Sequence, residues 1–539
     1  MRTRATALAA VLLAAGVLSC AHARGDGGAV SGSSQPSVAP VEVRVDASAG
    51  RRPISPYLYG KNSVGEDAAL AREAGLRISR ESNGNNCTKY NWRKDLSSHP
   101  DWFNNVYKQG WHERAQRLQT EFDDLQIMFC FQVLGWVAST DEHNYKEQQV
   151  PREQWPDRHS NPAGGGDASL YLEPWTAKDT VGILDHWFGP GGLGLDAARF
   201  RYWHMDNEPA CWPSTHDDVC PEDLTAEGVV QKYAAVAREV KSRYPQIRLM
   251  APGFTSEWMW WNFKNEFVDG MPWMQYFIKR MAEESRDFGA NLIDVIDFHT
   301  YGNARSEEDV LQEHRIFYDP DYQYPDANGC KRWPDGGWHE DQKVEMIFGR
   351  TQQWLDQYFG PGHGIGIGVT EVDTRGSEMA CALWYASMLG TFADHGVEVF
   401  CPWGWHESWW EVLHLFSRYA GTTRVQAAST DEEMVSAYAS VNEAGDRMTV
   451  ILVNRDKDRS RPVRLATTGF TPREGEYVTR SLHDLPERTR TFKSRADNAL
   501  QEGRVRMEEG SLALDLPPYS ITAVLLRGSG SADTTANSE

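Results

Sequence analysis

Between Tyr57 and Ala428, short apolar runs alternate with stretches of helical periodicity, and this alternation constrains the fold more than any other feature of the chain. Eight runs stand out: Leu58 to Asn62, Leu76 to Arg80, Ile127 to Trp136, Phe200 to Met205, Ile247 to Pro252, Val295 to Tyr301, Ile365 to Glu371 and Val397 to Trp403. Between them Val229, Val230, Tyr233, Val236, Ala237 and Val240 mark one helix face, and Met346, Ile347, Trp354, Leu355 and Tyr358 another. Strands alternating with helices predict a parallel sheet, and eight such units predict an α/β fold, a TIM (β/α)8 barrel over 57–428. In that fold functional side chains gather at the C-terminal strand ends.

After Ala428 the pattern changes to short alternating segments such as Met448 to Val453, Val463 to Leu465, Leu512 to Leu516 and Ile521 to Leu526. They predict a β-sandwich over 429–527. Val41, Val43 and Val45 alternate with charged residues, so 41–56 is expected to add an N-terminal strand to that sandwich. Ser306 to Gln342 is expected to be a long loop over the barrel's top, and 528–539 a disordered tail.

Arg2 and Arg4 precede an apolar run, Ala5 to Leu18, that is too short to span a bilayer, followed by Ser19 and Cys20. Residues 1–20 read as an export signal of lipoprotein type with Cys20 as the lipidated residue; simple secretion, with cleavage near Ala21-His22-Ala23, is the alternative. Residues 21–40 then form a flexible linker. The expected location is secreted or on the outer cell surface, held by a lipid anchor. The net charge of -21 argues against a nucleic-acid partner and suits a neutral substrate. A membrane is expected only through the anchor, and a monomer is the expected state. Cys211 and Cys220 could close one loop, whereas Cys130, Cys381 and Cys401 lie in apolar runs and read as small buried residues.

Two glutamates sit at the ends of these runs: Glu208, preceded by Asn207, just past the fourth, and Glu371 closing the seventh. Cleaving a glycosidic bond takes a carboxylic acid to protonate the leaving oxygen and a carboxylate to attack the anomeric carbon or to activate water. Asn207 is placed to bind the sugar 2-hydroxyl. Many of the 21 tryptophans fall at strand ends, where aromatic faces stack on pyranose rings, although each is as often a core residue. Arg80, Asn85, Trp212, Trp258, His299, Tyr301, Trp403 and Trp405 complete the expected sugar-binding set, and Glu81, Glu257 and Glu407 are reserve carboxylates. His204, Asp206, Cys211, His216, Asp217, Asp218 and Cys220 match no zinc spacing, so no catalytic metal and no cofactor is expected. Asp319, Asp321, Asp326 and Asn328 leave room for a structural calcium without EF-hand spacing.

Asp206-Asn207-Glu208-Pro209, continuing through Trp212, Ser214-Thr215-His216, Asp218 and Pro221, resembles the acid/base region of glycoside hydrolase family 44. Val45-Asp46 through Tyr59-Gly60, Asn85 with Thr88 and Tyr90-Asn91-Trp92, and Thr370-Glu371 resemble three further regions of it. Two departures stand out, Ser79-Arg80-Glu81-Ser82 ahead of Asn85 and Val372-Asp373 after the second glutamate. The resemblance implies a retaining endo-β-1,4-glucanase acting on cellulose-like glucans or xyloglucan, with Glu208 as acid/base and Glu371 as nucleophile. Mannan or xylan hydrolysis on a similar barrel, or an inactive carbohydrate-binding lipoprotein, are the competing readings.

Overall fold

The eight runs form one parallel sheet in chain order: Gly60–Asn62, Ile78–Arg80, Gln126–Phe131, Tyr202–Met205, Arg248–Phe254, Val295–Tyr301, Gly366–Asp373 and Val399–Phe400. The computed structural model describes residues 39–529 apart from 83, 101–104, 145–166, 222, 303–304, 326, 333–336 and 509. Cys20, the signal, nearly all of the linker and most of the tail lie outside the described residues. No helix among the described residues is long and apolar enough to cross a membrane.

The barrel closes where the first strand meets the segment after the eighth. Asn62 donates its backbone N–H to the Pro402 carbonyl at 3.1 Å, and its Nδ2 to the carbonyls of Thr370 at 2.7 Å and Cys401 at 2.8 Å. A Cβ on Gly60 would stand 2.1 Å from the Phe400 carbonyl oxygen, so glycine is required at this seam. The third run stops at Phe131 rather than continuing to Trp136. The Gln132 N–H turns to Thr180 Oγ1 and those of Val133 and Leu134 to the Asp206 carboxylate, and Trp136–Ala138 folds back to pair with Leu172–Pro174.

Helices wrap the sheet as their sequences dictate. Thr225 caps Ala226–Arg243 through the Gly228 N–H, and this helix buries the face of Val229, Val230, Tyr233, Val236, Ala237 and Val240 expected from its periodicity. Glu378–His395 is apolar nearly all round, because it lies between the barrel and the second domain; Gly390 there packs directly under the Tyr438 ring.

The C-terminal strands form the expected β-sandwich, and Val41–Asp46 completes it. This strand pairs in parallel with Arg461–Thr468 and antiparallel with Thr423–Ser429, so the nine strands run as a continuous ring. Thr423–Ser429 belongs to the sandwich, which places the crossover ahead of the expected boundary at 428. Val435–Val441, Glu476–Leu482 and Gln501–Glu508 are further sandwich strands. The described residues of the Ser306 to Gln342 stretch are mostly irregular, apart from the helix Glu307–Gln312 and short 3-10 turns. Cys211 and Cys220 are free thiols; the Cys211 sulfur faces Thr255 and Met259 instead.

Candidate active site

The seventh strand makes its turn into the site through a bulge. Phe298 pairs with Val369 but His299 pairs with Glu371, so Thr370 is an extra residue between them. The bulge lets Thr370 and Glu371 both reach His299. On the sixth strand Asp297, His299 and Tyr301 alternate at a period of two and share one face. On the other side, Asp206 and Glu208 take left-handed backbone conformations at φ of 63° and 44°, uncommon for residues with a side chain. The Asp206 carboxylate holds that turn: it accepts from Thr88 Oγ1 at 2.7 Å and from the backbone N–H groups of Val133, Leu134 and Asn207.

These elements converge on one buried cluster. His299 Nδ1 lies 3.0 Å from Glu208 Oε1 and 3.6 Å from Glu371 Oε2, and the acting atoms of all three residues lie within 4.8 Å of one another. The Arg80 guanidinium donates to Glu371 Oε1 and, at 2.6 Å, to Asn207 Oδ1. Asn207 Nδ2 donates to Asn85 Oδ1 at 2.8 Å, and Tyr301 donates its hydroxyl to Glu371 Oε2 at 2.6 Å. Beneath them Asp297 accepts from His204 Nε2 and from Thr370 Oγ1, both at 2.6 Å, while His299 Nε2 meets Thr370 Oγ1 at 3.1 Å.

The two glutamates are pushed in opposite directions. Burial raises the Glu208 carboxyl, and the neighbouring Glu371 charge adds to it. Burial also opposes ionisation of Glu371, but the His299 and Arg80 charges and hydrogen bonds from Tyr301 and Arg80 outweigh it and hold this carboxyl below its ordinary value. Burial works against the His299 cation too; Glu371, Asp297 and Glu208 overcome it and lift the imidazole to about 10. Two carboxyl groups with separated proton affinities are the arrangement of an acid and a nucleophile. Retaining glycosidases hold them about 5–5.5 Å apart and inverting ones about 6.5–9.5 Å, and facing oxygens of Glu208 and Glu371 within 4.8 Å of each other fit the shorter spacing.

Of the expected residues, Asn207, Glu208, Arg80, Asn85, His299, Tyr301 and Glu371 form one hydrogen-bonded group. Trp403 flanks it with 41% of its surface exposed. Trp212 is a correction: it is fully buried, its indole donating to the Asn207 carbonyl, so it braces the acid/base turn and offers no face to a sugar. Trp258, half-buried, donates to the Lys264 carbonyl, and Trp405 packs among Tyr385, Trp409 and Trp410; neither bonds to the glutamates or their partners. Trp203, Trp260, Trp261, Trp409 and Trp410 are core residues. The reserve carboxylates are structural: Glu81 accepts from the Val64 N–H, Glu257 from the backbone of the 328–330 turn, and Glu407 from Arg490.

Asp297, Thr370 and Gly84 carry no expected role, yet all three shape the site. The period of two behind His299 and Tyr301 marks Asp297 in hindsight. Gly84 has φ of 53°, and a Cβ there would lie 2.9 Å from the Trp403 ring and 3.5 Å from Glu371 Oε1. Gly84→Ala is expected to displace Trp403 and lower kcat/KM by about tenfold or more with the fold retained, since misplacement by an ångström costs up to about a hundredfold. Steady-state kinetics beside circular dichroism checks it; unchanged kinetics would show that the ring yields freely.

An eight-stranded parallel barrel with two carboxyl groups paired at its mouth and an attached sandwich defines the class: a (β/α)8 fold with a paired-carboxylate site. Residues 91–304 match the model of glycoside hydrolase family 44, which is the family expected from the sequence. The β-mannanase/endoglucanase A of Caldicellulosiruptor saccharolyticus is 24% identical over 510 residues, covering 84% of this chain and 37% of the relative, so the chain spans about a third of that protein's length. Among solved structures, a bifunctional glucanase-xylanase from a metagenome library superposes with a TM-score of 0.72 at 22% identity, covering 91% of this chain and 99% of the other. A Paenibacillus polymyxa family 44 xyloglucanase solved with xyloglucan gives 0.69 at 18% identity, with 91% and 100% covered. At these identities the superpositions establish a shared fold.

Proposed function

We propose that this chain is an exported, lipid-anchored endo-β-1,4-glucanase that cleaves cellulose-like glucans or xyloglucan with retention of anomeric configuration. One observation carries the chemistry: two buried carboxyl groups share His299 within 4.8 Å, with the proton affinity of Glu208 raised by burial and that of Glu371 lowered by the His299 and Arg80 charges. The matched family model and the xyloglucan bound to the Paenibacillus polymyxa relative support the substrate class.

In the first step Glu371 attacks the anomeric carbon while Glu208 gives its proton to the departing glycosidic oxygen, leaving a glycosyl ester on Glu371. Glu208, now a carboxylate, takes a proton from water as that water attacks the same carbon and releases Glu371. Arg80 and Tyr301 hold the nucleophile on both oxygens, which fixes its line of attack. Asn207 spends one amide hydrogen on Asn85 and has the other for the sugar 2-hydroxyl. The exposed faces of Trp403 and Tyr301, 41% and 38% accessible, serve as stacking surfaces.

The test is a panel of carboxymethylcellulose, xyloglucan, mannan and xylan, followed by reducing-sugar release and the anomer of the first product. Hydrolysis of the glucans to the β-anomer is expected; no hydrolysis of any polymer would sink the proposal, and α-anomer release would sink the retaining mechanism. The anchor is tested with Cys20→Ala, which should leave the membrane fraction.

The pH profile has a definite sign. kcat/KM should rise as Glu371 ionises, at a pH below the ordinary carboxylate range, and fall as Glu208 loses its proton above it. Asp297→Asn removes the counter-anion of His299. The imidazole, which starts from about 10, keeps its charge at the pH of the acid limb in either form, so the loss of a nearby anion favours ionised Glu371 and that limb should move down by up to about one unit. A limb that stays in place would show that Asp297 only supports the fold.

A further inference from the structure

The helix Glu257–Trp261, just after the fifth barrel strand, and the turn Cys330–Arg332 bring a second ligand-rich cluster together. Donor atoms of Glu257, Cys330 and Glu345 lie within 4.8 Å of one another. Cys330 and Glu345 are 2% and 1% exposed. Glu345 Oε2 accepts from the Trp261 indole at 2.8 Å; its carboxyl otherwise meets only the Glu257 carboxyl and the Cys330 thiol, and the buried Oε1 has no partner outside this cluster. The Glu257 side chain accepts hydrogen bonds from the backbone N–H groups of Asn328, Gly329 and Cys330.

Two carboxylates in contact inside a protein need a proton or a cation between them. The third member decides which cation fits. Calcium and magnesium take oxygen ligands, whereas zinc accepts thiolate and carboxylate together. We propose that Glu257, Cys330 and Glu345 bind one zinc ion in a structural site. Binding would release the Cys330 thiol proton and any proton held on Glu345. The three anionic ligands exceed the ion's charge by one, and Arg350 lies nearby, its guanidinium 5.3 Å over the Trp261 ring and its Nε donating to the Glu345 carbonyl.

The ion would tie the irregular 313–345 connection to the helix that braces the active site. Trp260, on that helix, donates its indole N–H to the His299 carbonyl at 3.0 Å.

The experiment uses the full chain, free of any tag, dialysed into metal-free buffer and titrated with zinc, calcium and cobalt(II). Expected are one tightly held zinc per chain, a lower melting temperature with chelator that zinc restores, and a thiolate-to-cobalt absorption band. Cys330→Ser should weaken zinc at least about tenfold and abolish the band, and Glu345→Gln should weaken zinc to a similar degree. The cobalt band is read on the unaltered chain, so a variant that fails to fold does not remove the test. No zinc uptake, uptake without a thiolate band, or a preference for calcium would overturn the site and leave a proton shared between Glu345 and Glu257.

Discussion

Glu371→Gln is expected to lower kcat on every substrate by about 10⁴-fold or more, the scale seen when a nucleophile is removed from a unit that works as a whole. The amide keeps the size of the carboxylate and can still meet Arg80 and Tyr301, so binding should survive with KM or oligosaccharide affinity nearly unchanged. The loss should be equal for polymers and for aryl glycosides with good leaving groups, because no leaving group substitutes for the attacking oxygen. Hydrolysis assays with calorimetric binding of a glucan oligosaccharide would check it. Substantial activity in the variant would move the nucleophile elsewhere; the third carboxylate at His299, Asp297, meets the ring at Nε2, whereas Glu208 and Glu371 both meet it at Nδ1.

Glu208→Gln should behave differently, and the contrast is the sharper test of the assignment. On a polymer, whose leaving oxygen needs a proton, kcat should fall about 10²- to 10⁴-fold, the usual worth of general acid catalysis. On an activated aryl glycoside the first step should proceed almost unaided. Release of the ester would then lack its base, giving a burst of aryl alcohol followed by a slow steady state. Rapid-quench kinetics would show the burst, and the glycosyl ester should be trappable on Glu371 by mass spectrometry. Equal losses for both variants on the activated substrate, without a burst, would contradict these roles.

Much of this was legible in order along the chain. The eight apolar runs named the barrel strands, and Val295 to Tyr301 matches its strand residue for residue. The two glutamates were visible because each sits at the end of such a run. Less legible was what a tryptophan at a strand end does. Trp212 and Trp403 look alike in sequence, yet one is fully buried under Asn207 and the other is 41% exposed. Burial depends on neighbours brought from elsewhere in the chain, and hydrophobic pattern does not report which face of a large ring they cover.

By itself the sequence determined the repeating strand and helix units, the strand ends on which Asn207, Glu208 and Glu371 stand, and the alternation that joins Val41–Asp46 to the sandwich. Those follow from local periodicity, which side chains impose within a few residues. Only the tertiary structure decided that Thr370 bulges out so that Glu371 meets His299, that Gly84 leaves room for Trp403, and that Asp297 lies beneath the histidine. The first two depend on residues about 70 to 320 positions apart, Phe298 and Val369 or Gly84 and Trp403, and Asp297 is held in place by His204 and Thr370, 93 and 73 positions away. The opposite displacement of the two glutamates belongs to the same class. It arises from burial and from charges on three different strands, and no single strand carries it.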